Sequence, residues 1–205
     1  MTGLSLKGRV SDDNLIVLED AGILVEGEKI KSVGKFNDLK KAHSDAEVHE
    51  LKGDHTCLPG FIDSHTHICF GGSRANDYAM RNAGKTYLEI AKSGGGIWDT
   101  VTQTRKASKE ELIRRTAKLA NRHLKNGTTT IEVKSGYGLS VDEELKMLRA
   151  IKEADKVTAS DLIPTCLDAH MLPKDFEGSA PEYLEEISTK LFPILKEEKL
   201  TNRID

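Results

Sequence analysis

From Cys57 onward the sequence alternates, three times over, between a short apolar run and a longer amphipathic one. Residues 58–64, 128–133 and 162–167 have the apolar, β-branched character of strands. Residues 109–125 read as a helix whose N-cap is Ser108. Ser140 begins a second helix, with Asp142, Glu143 and Glu144 in its first turn and Leu145, Leu148 and Ile151 on one face. Residues 181–195 supply a third. Strand followed by helix, repeated, predicts βα units and a parallel sheet, so the fold class is α/β. Such units build either a doubly wound sheet or a (β/α)8 barrel, and local sequence does not choose between them.

Residues 1–56 differ in texture. Short β-branched or apolar runs at 14–18, 22–26 and 29–33, with Gly27-Glu28 between the last two, predict a small β-rich segment containing a tight hairpin. The expected organisation is therefore a small β-piece over 1–56 and a βα part over 57–205. Only three βα units fit in the second part, where a barrel needs eight. A three-stranded parallel sheet with open apolar edges buries its faces poorly, so the chain is expected to be the amino-terminal portion of something larger.

Composition narrows the partners. The chain has 205 residues, 38% hydrophobic and 31% charged, which suits a soluble globular protein. A net charge of -3 gives no reason to expect nucleic acid or an anionic membrane as partner. No apolar stretch approaches the roughly 20 residues needed to cross a bilayer, and the first ten residues lack the apolar core of a secretory signal. Three widely spaced cysteines, an odd number, argue against a disulfide framework. The cytoplasm is the expected compartment.

Chemistry concentrates just past the strands. The first ends in His65 and His67, two positions apart, so both imidazoles leave the strand on one face. Two neutral imidazoles converging at a strand end are half of a transition-metal site. A catalytic zinc takes three protein ligands and water, so at least one further ligand is required. Asp63 either orients a neighbouring imidazole or caps a loop. Phe70-Gly-Gly-Ser-Arg74 follows, and its arginine could grip a carboxylate through two parallel hydrogen bonds. Gly94-Gly-Gly96 lacks the flanks of a phosphate loop and reads as a connection between helical segments. After the second strand comes Lys134-Ser-Gly-Tyr-Gly138, where Tyr137 offers a phenolic donor and Lys134 reads as a solvated lysine. The third strand runs into Asp168-Ala-His170. Active sites in both candidate architectures lie at the carboxyl ends of strands, so these groups share one rim. Trp98 and Tyr78 are expected to pack, and His43, His49, His55 and His123 are assigned no role.

The His-x-His strand, the rim position and the small β-piece together resemble the amidohydrolase superfamily, metal-dependent hydrolases with a (β/α)8 TIM barrel and a composite β-sandwich. Within it the imidazolonepropionase family is the nearer match. Residues 59–67 (Pro-Gly-Phe-Ile-Asp-Ser-His-Thr-His), 70–74, 84–90, 94–97, 127–130, 132–139 (Glu-Val-Lys-Ser-Gly-Tyr-Gly-Leu) and 144–149 carry the resemblance, which runs from about residue 57 to 200. That family hydrolyses 4-imidazolone-5-propanoate to N-formimidoyl-L-glutamate in histidine degradation. The resemblance implies a partial (β/α)8 barrel after a β-sandwich portion and one divalent metal, zinc or iron. It also implies His65 and His67 as metal ligands, and Arg74, Tyr137 and His170 as substrate contacts. Its remaining ligands, a later His and Asp, and the Glu that moves protons have no counterpart in these 205 residues, so no catalytic residue is assigned within the chain and the chain alone is expected not to turn over substrate. A Gly more usually precedes Ala-His where this sequence has Asp168. The family's usual dimer, or a chain that completes the barrel, is the expected partner. The other readings are a different cyclic-amide or heterocycle amidohydrolase, which does not account for 132–139, and a non-catalytic truncated remnant.

Overall fold

The computed structural model describes residues 16–205, which fall into two compact units, one ending at Pro59 and one spanning Gly60–Asp205. The first unit is a hairpin with one short helix. Strands β1 (Ala21–Glu26) and β2 (Lys29–Lys35) pair antiparallel, with Glu26 opposite Lys29. The two-residue turn Gly27-Glu28 stands where the sequence puts it, and Gly27 takes φ 60°, the left-handed conformation such a turn requires. Helix α1 (Phe36–Ala42) follows at once, and Leu39 packs where Gly22 and Gly34 leave space on the hairpin. Of the expected strand at 14–18, Asn14 and Leu15 lie outside the described residues, and Ile16, Val17 and Leu18 are exposed and outside any strand.

The second unit is the α/β part. Strands β3 (Phe61–Thr66), β4 (Thr128–Lys134) and β5 (Asp161–Thr165) form a parallel sheet in the order β3-β4-β5. Helices α2 (Ala75–Asn82), α3 (Tyr87–Lys92), α4 (Ile97–Lys106) and α5 (Lys109–Leu124) connect β3 to β4, and α6 (Val141–Asp155) connects β4 to β5. Helix α5 opens with a capping box, Ser108 and Glu111 each accepting the other's backbone N–H. It buries Leu112, Thr116 and Ala120, four residues apart, along one stripe. Helix α6 is more heavily buried and places Leu145, Leu148 and Ile151 in a common core with Ile131 and Val133 of β4 and Leu162 of β5. Each such side chain contributes about 1.5–3 kcal/mol by leaving water, so β4, α5 and α6 are the stable centre of the unit.

Three departures from the sequence reading have physical causes. The first strand runs Phe61–Thr66 rather than 58–64, and at the edge of the sheet its Phe61 and Ile62 are 55% and 73% exposed. The third strand ends at Thr165, and Cys166 leaves it to bridge in parallel with Ile204. The last helix is α7 (Ala180–Glu186) and α8 (Phe192–Glu197) joined by a wider π-turn at Ile187–Leu191, in which the Phe192 N–H bonds the Ile187 carbonyl. Pro193 has no N–H to give, and in a regular α-helix its ring would collide with the carbonyl four residues back. One widened turn removes that collision without ending the helix. No helix among the described residues is long and apolar enough to cross a membrane.

Candidate metal and substrate site

In parallel register the strands deliver their carboxyl ends side by side, Thr66 against Val133 and Lys134 against Thr165. Thr66 lies between the two histidines and points the other way. Its buried hydroxyl donates to the Glu132 carbonyl at 2.5 Å, which fixes the end of β3 to β4. His65 and His67 are thereby left on the opposite face with ring centres 5.3 Å apart. The Tyr137 ring, from the loop after β4, stands 5.7 Å from that of His67.

The electrostatics favour a neutral imidazole. Burial holds the pKa of His67 below the ordinary histidine value, and the neighbouring charges of His65, Lys134 and His170 add to this against the opposing pull of Glu132. Neutral imidazole is the form that binds a metal ion. The His67 Nδ1 is buried and has no hydrogen-bond partner among the described residues. Burial likewise raises the Tyr137 pKa, with the Arg74 charge pulling the other way, so the phenol keeps its proton and remains a donor.

Arg74 sits at the start of α2. Its Nε donates to Asp77 Oδ2 at 2.5 Å and one terminal nitrogen donates to Thr100 Oγ1 at 3.3 Å. Asp77 is held in turn by the Gly96 N–H at 2.9 Å, so the triple-glycine loop joins α3 to α4 and also secures the arginine's anchor. His170 is exposed in a single 3-10 turn, Asp168–His170, after β5. Its Nδ1 lies 2.7 Å from the Leu167 carbonyl, which can only accept, so that nitrogen donates. The structure thus gathers His65, His67 and Tyr137 in contact, with His170 and Arg74 in electrostatic reach of His67 and Tyr137. Among the described residues no cluster of three His, Cys, Asp or Glu side chains forms.

Two sequence expectations are corrected. Tyr78 does not pack; it is 70% exposed on the outer side of the short helix α2. Lys134 is not solvated: it is 3% exposed, with Nζ donating to Glu132 Oε1 at 3.1 Å and to Asp205 Oδ2 at 2.5 Å. Burial alone lowers its pKa, but the two carboxylates more than reverse this and leave it above the usual lysine value, so it stays charged. The alternation Glu132-Val133-Lys134 does carry a signal, since residues two apart on a strand share a face.

Sequence reasoning also passed over two buried acids. Glu144 is fully buried and accepts backbone N–H groups of the Tyr137 loop. Asp168 is 1% exposed; the Tyr183 hydroxyl donates to its Oδ1 at 2.6 Å, and Oδ2 has no partner among the described residues. Burial first, and the Glu144 charge second, push its pKa up to about 7 against the Tyr183 hydrogen bond. The folded protein therefore binds this proton more tightly than the unfolded chain. The resulting stability is fully present below the unfolded value near 3.8 and is lost as pH rises through about 7. Asp168→Asn is expected to flatten the fall in urea midpoint between roughly pH 4 and pH 7. An unchanged slope in that variant would assign the proton elsewhere.

No protein-family model matches the chain. Curated proteins do. An imidazolonepropionase of Thermoanaerobacter pseudethanolicus is 40% identical over 193 residues, which is 94% of this chain and 46% of the relative. One from Fusobacterium nucleatum is 42% identical over 195 residues, 94% of this chain and 47% of the relative. One from Alkaliphilus oremlandii is 38% identical over 208 residues, 99% of this chain and 48% of the relative. The chain spans about half the length of the curated relatives it matches, and along nearly all of its own length it resembles imidazolonepropionases.

Proposed function

We propose, from that similarity, that this chain supplies the histidine pair and the substrate-binding rim of an imidazolonepropionase. The reaction is hydrolytic opening of the cyclic amide of 4-imidazolone-5-propanoate to N-formimidoyl-L-glutamate, a step of histidine degradation. The observation that carries the proposal is the juxtaposition of the His65 and His67 rings with Tyr137 at the strand ends of a chain 38–42% identical to such enzymes. In the same reading, the three parallel strands are the first of a (β/α)8 barrel and the hairpin unit is part of a composite β-sandwich, divided near residue 57.

The residues fit a divalent ion. Both donors are imidazoles, one is kept neutral, and its buried Nδ1 lacks any other partner, a set that suits zinc and iron alike. When bound, the metal supplies Lewis-acid polarisation of the cyclic amide and a lowered pKa for water. The remaining work falls to the chain itself. With Nε and one terminal N–H of Arg74 engaged by Asp77 and Thr100, three guanidinium donors are left for the propionate carboxylate. The neutral Tyr137 phenol donates to the ring where charge develops. His170, with Nδ1–H held by Leu167, is oriented to meet the substrate ring through Nε2. The groups that complete the metal set and move protons belong, in this proposal, outside the described residues, and the setting is the cytoplasm.

The test is made on the complete protein. Loss of 4-imidazolone-5-propanoate and formation of N-formimidoyl-L-glutamate are followed before chelation, after it, and after zinc or iron is restored. Turnover that disappears with the metal and returns with it is expected. A metal-replete protein that leaves this substrate untouched would overturn the proposal.

A further inference from the structure

Tyr137 owes its place to a residue that cannot touch a substrate. The loop between β4 and α6 carries it, flanked by Gly136 and Gly138. Behind that loop lies Glu144 of α6, wholly buried. Its carboxylate accepts the Gly136 N–H at 3.1 and 3.0 Å through its two oxygens, the Gly138 N–H at 2.7 Å and the Leu139 N–H at 2.9 Å. A buried carboxylate is costly unless hydrogen-bonded, and three N–H groups converging on one charge meet that requirement. The loop's backbone conformation depends on them. Gly136 has φ 97°, and a Cβ there would come within 2.9 Å of the Leu167 carbonyl. Leu139, which is not a glycine, is held at φ 52°, a conformation that persists only when its surroundings impose it.

We infer that Glu144 is a positioning residue for the hydrolytic reaction: by binding the backbone on both sides of Tyr137 it holds that ring beside His67. Neither Ser135 nor any side chain of the loop itself closes this turn; one carboxylate, on the following helix, does so for three backbone donors, one before Tyr137 and two after it. The inference rests on the reading of Tyr137 as a substrate contact, and the test separates the two.

In the complete protein, Glu144→Gln keeps the oxygen shared by Gly136, Gly138 and Leu139 but removes the charge and puts an NH2 group in place of the second oxygen that accepts the Gly136 N–H. Tyr137→Phe removes only the phenolic donor. The two single variants and the double variant are compared in kcat/KM, with bound metal and unfolding midpoint measured alongside. Each single change is expected to lower kcat/KM by about 10²-fold, with bound metal unchanged. In the Tyr137→Phe background, Glu144→Gln should add less than about a further threefold loss, because its effect runs through the hydroxyl already removed. Multiplicative losses in the double variant, or an undiminished rate in Glu144→Gln alone, would overturn the inference. If Tyr137→Phe alone is harmless, the substrate role of Tyr137 fails and the inference falls with it. Should Glu144→Gln not fold, Glu144→Asp takes its place; it retains the charge but draws it back by one methylene.

Discussion

Lys134→Met is expected to lower the unfolding free energy by about 3–5 kcal/mol, a loss typical of removing one partner from a buried ion pair. The lysine side chain is 4% exposed and its partner Glu132 18% exposed, so little solvent screens the pair. Glu132 Oε1 also accepts from the Thr165 hydroxyl at 2.8 Å, and Oε2 has no hydrogen-bond partner among the described residues. Without the ammonium this carboxylate keeps one hydrogen bond and a buried charge. Asp205 contributes less, because its side chain is 58% exposed and water screens it. The measurement is a shift in urea midpoint at constant slope. Glu132→Gln combined with Lys134→Met should recover most of the loss, since removing both charges leaves no orphan. A single-variant cost below about 1 kcal/mol would mean that the pair is effectively solvated.

The second large effect falls on chemistry. His67→Ala in the complete protein is expected to release metal on dialysis and to lower kcat/KM by on the order of 10³-fold, the scale of losing several kcal/mol of Lewis-acid stabilisation. His67 is the better of the two histidines for this test. Burial draws its ring below the ordinary histidine pKa, and its buried Nδ1 has no partner among the described residues. Thr66 next to it, not the imidazole, ties β3 to β4, so the strand end should survive the substitution. Metal content by elemental analysis and initial rates read the outcome. A variant that retains both its metal and its rate would remove His67 from the metal set.

Much of this was legible along the chain because it depends on neighbours a few residues away. Ser108 and Glu111 form the capping box their spacing announces, and Gly27-Glu28 turns the hairpin. Strand alternation puts His65 and His67 on one face, and the βα rhythm yields a parallel sheet. The acidic first turn of α6 was also visible, but not that its third acid folds back under the preceding loop. Glu144 reads as one more favourable charge at a helix start until the Gly136–Leu139 backbone is seen wrapped around it.

Sequence alone was enough for the α/β class, the hairpin, the starts of α5 and α6 and the pairing of the two histidines, but not for α2, α3 and α4. The former follow from backbone sterics and from contacts within one turn or one strand. The burial and ion pairing of Lys134 came from the folded chain, since its partner Asp205 lies 71 positions away in sequence. The tertiary structure also decided that Asp168 carries a proton into neutral pH, since that depends on burial and on a carboxylate from another element. Charge and solvation are set by what surrounds a group in space, and a linear sequence does not state its surroundings.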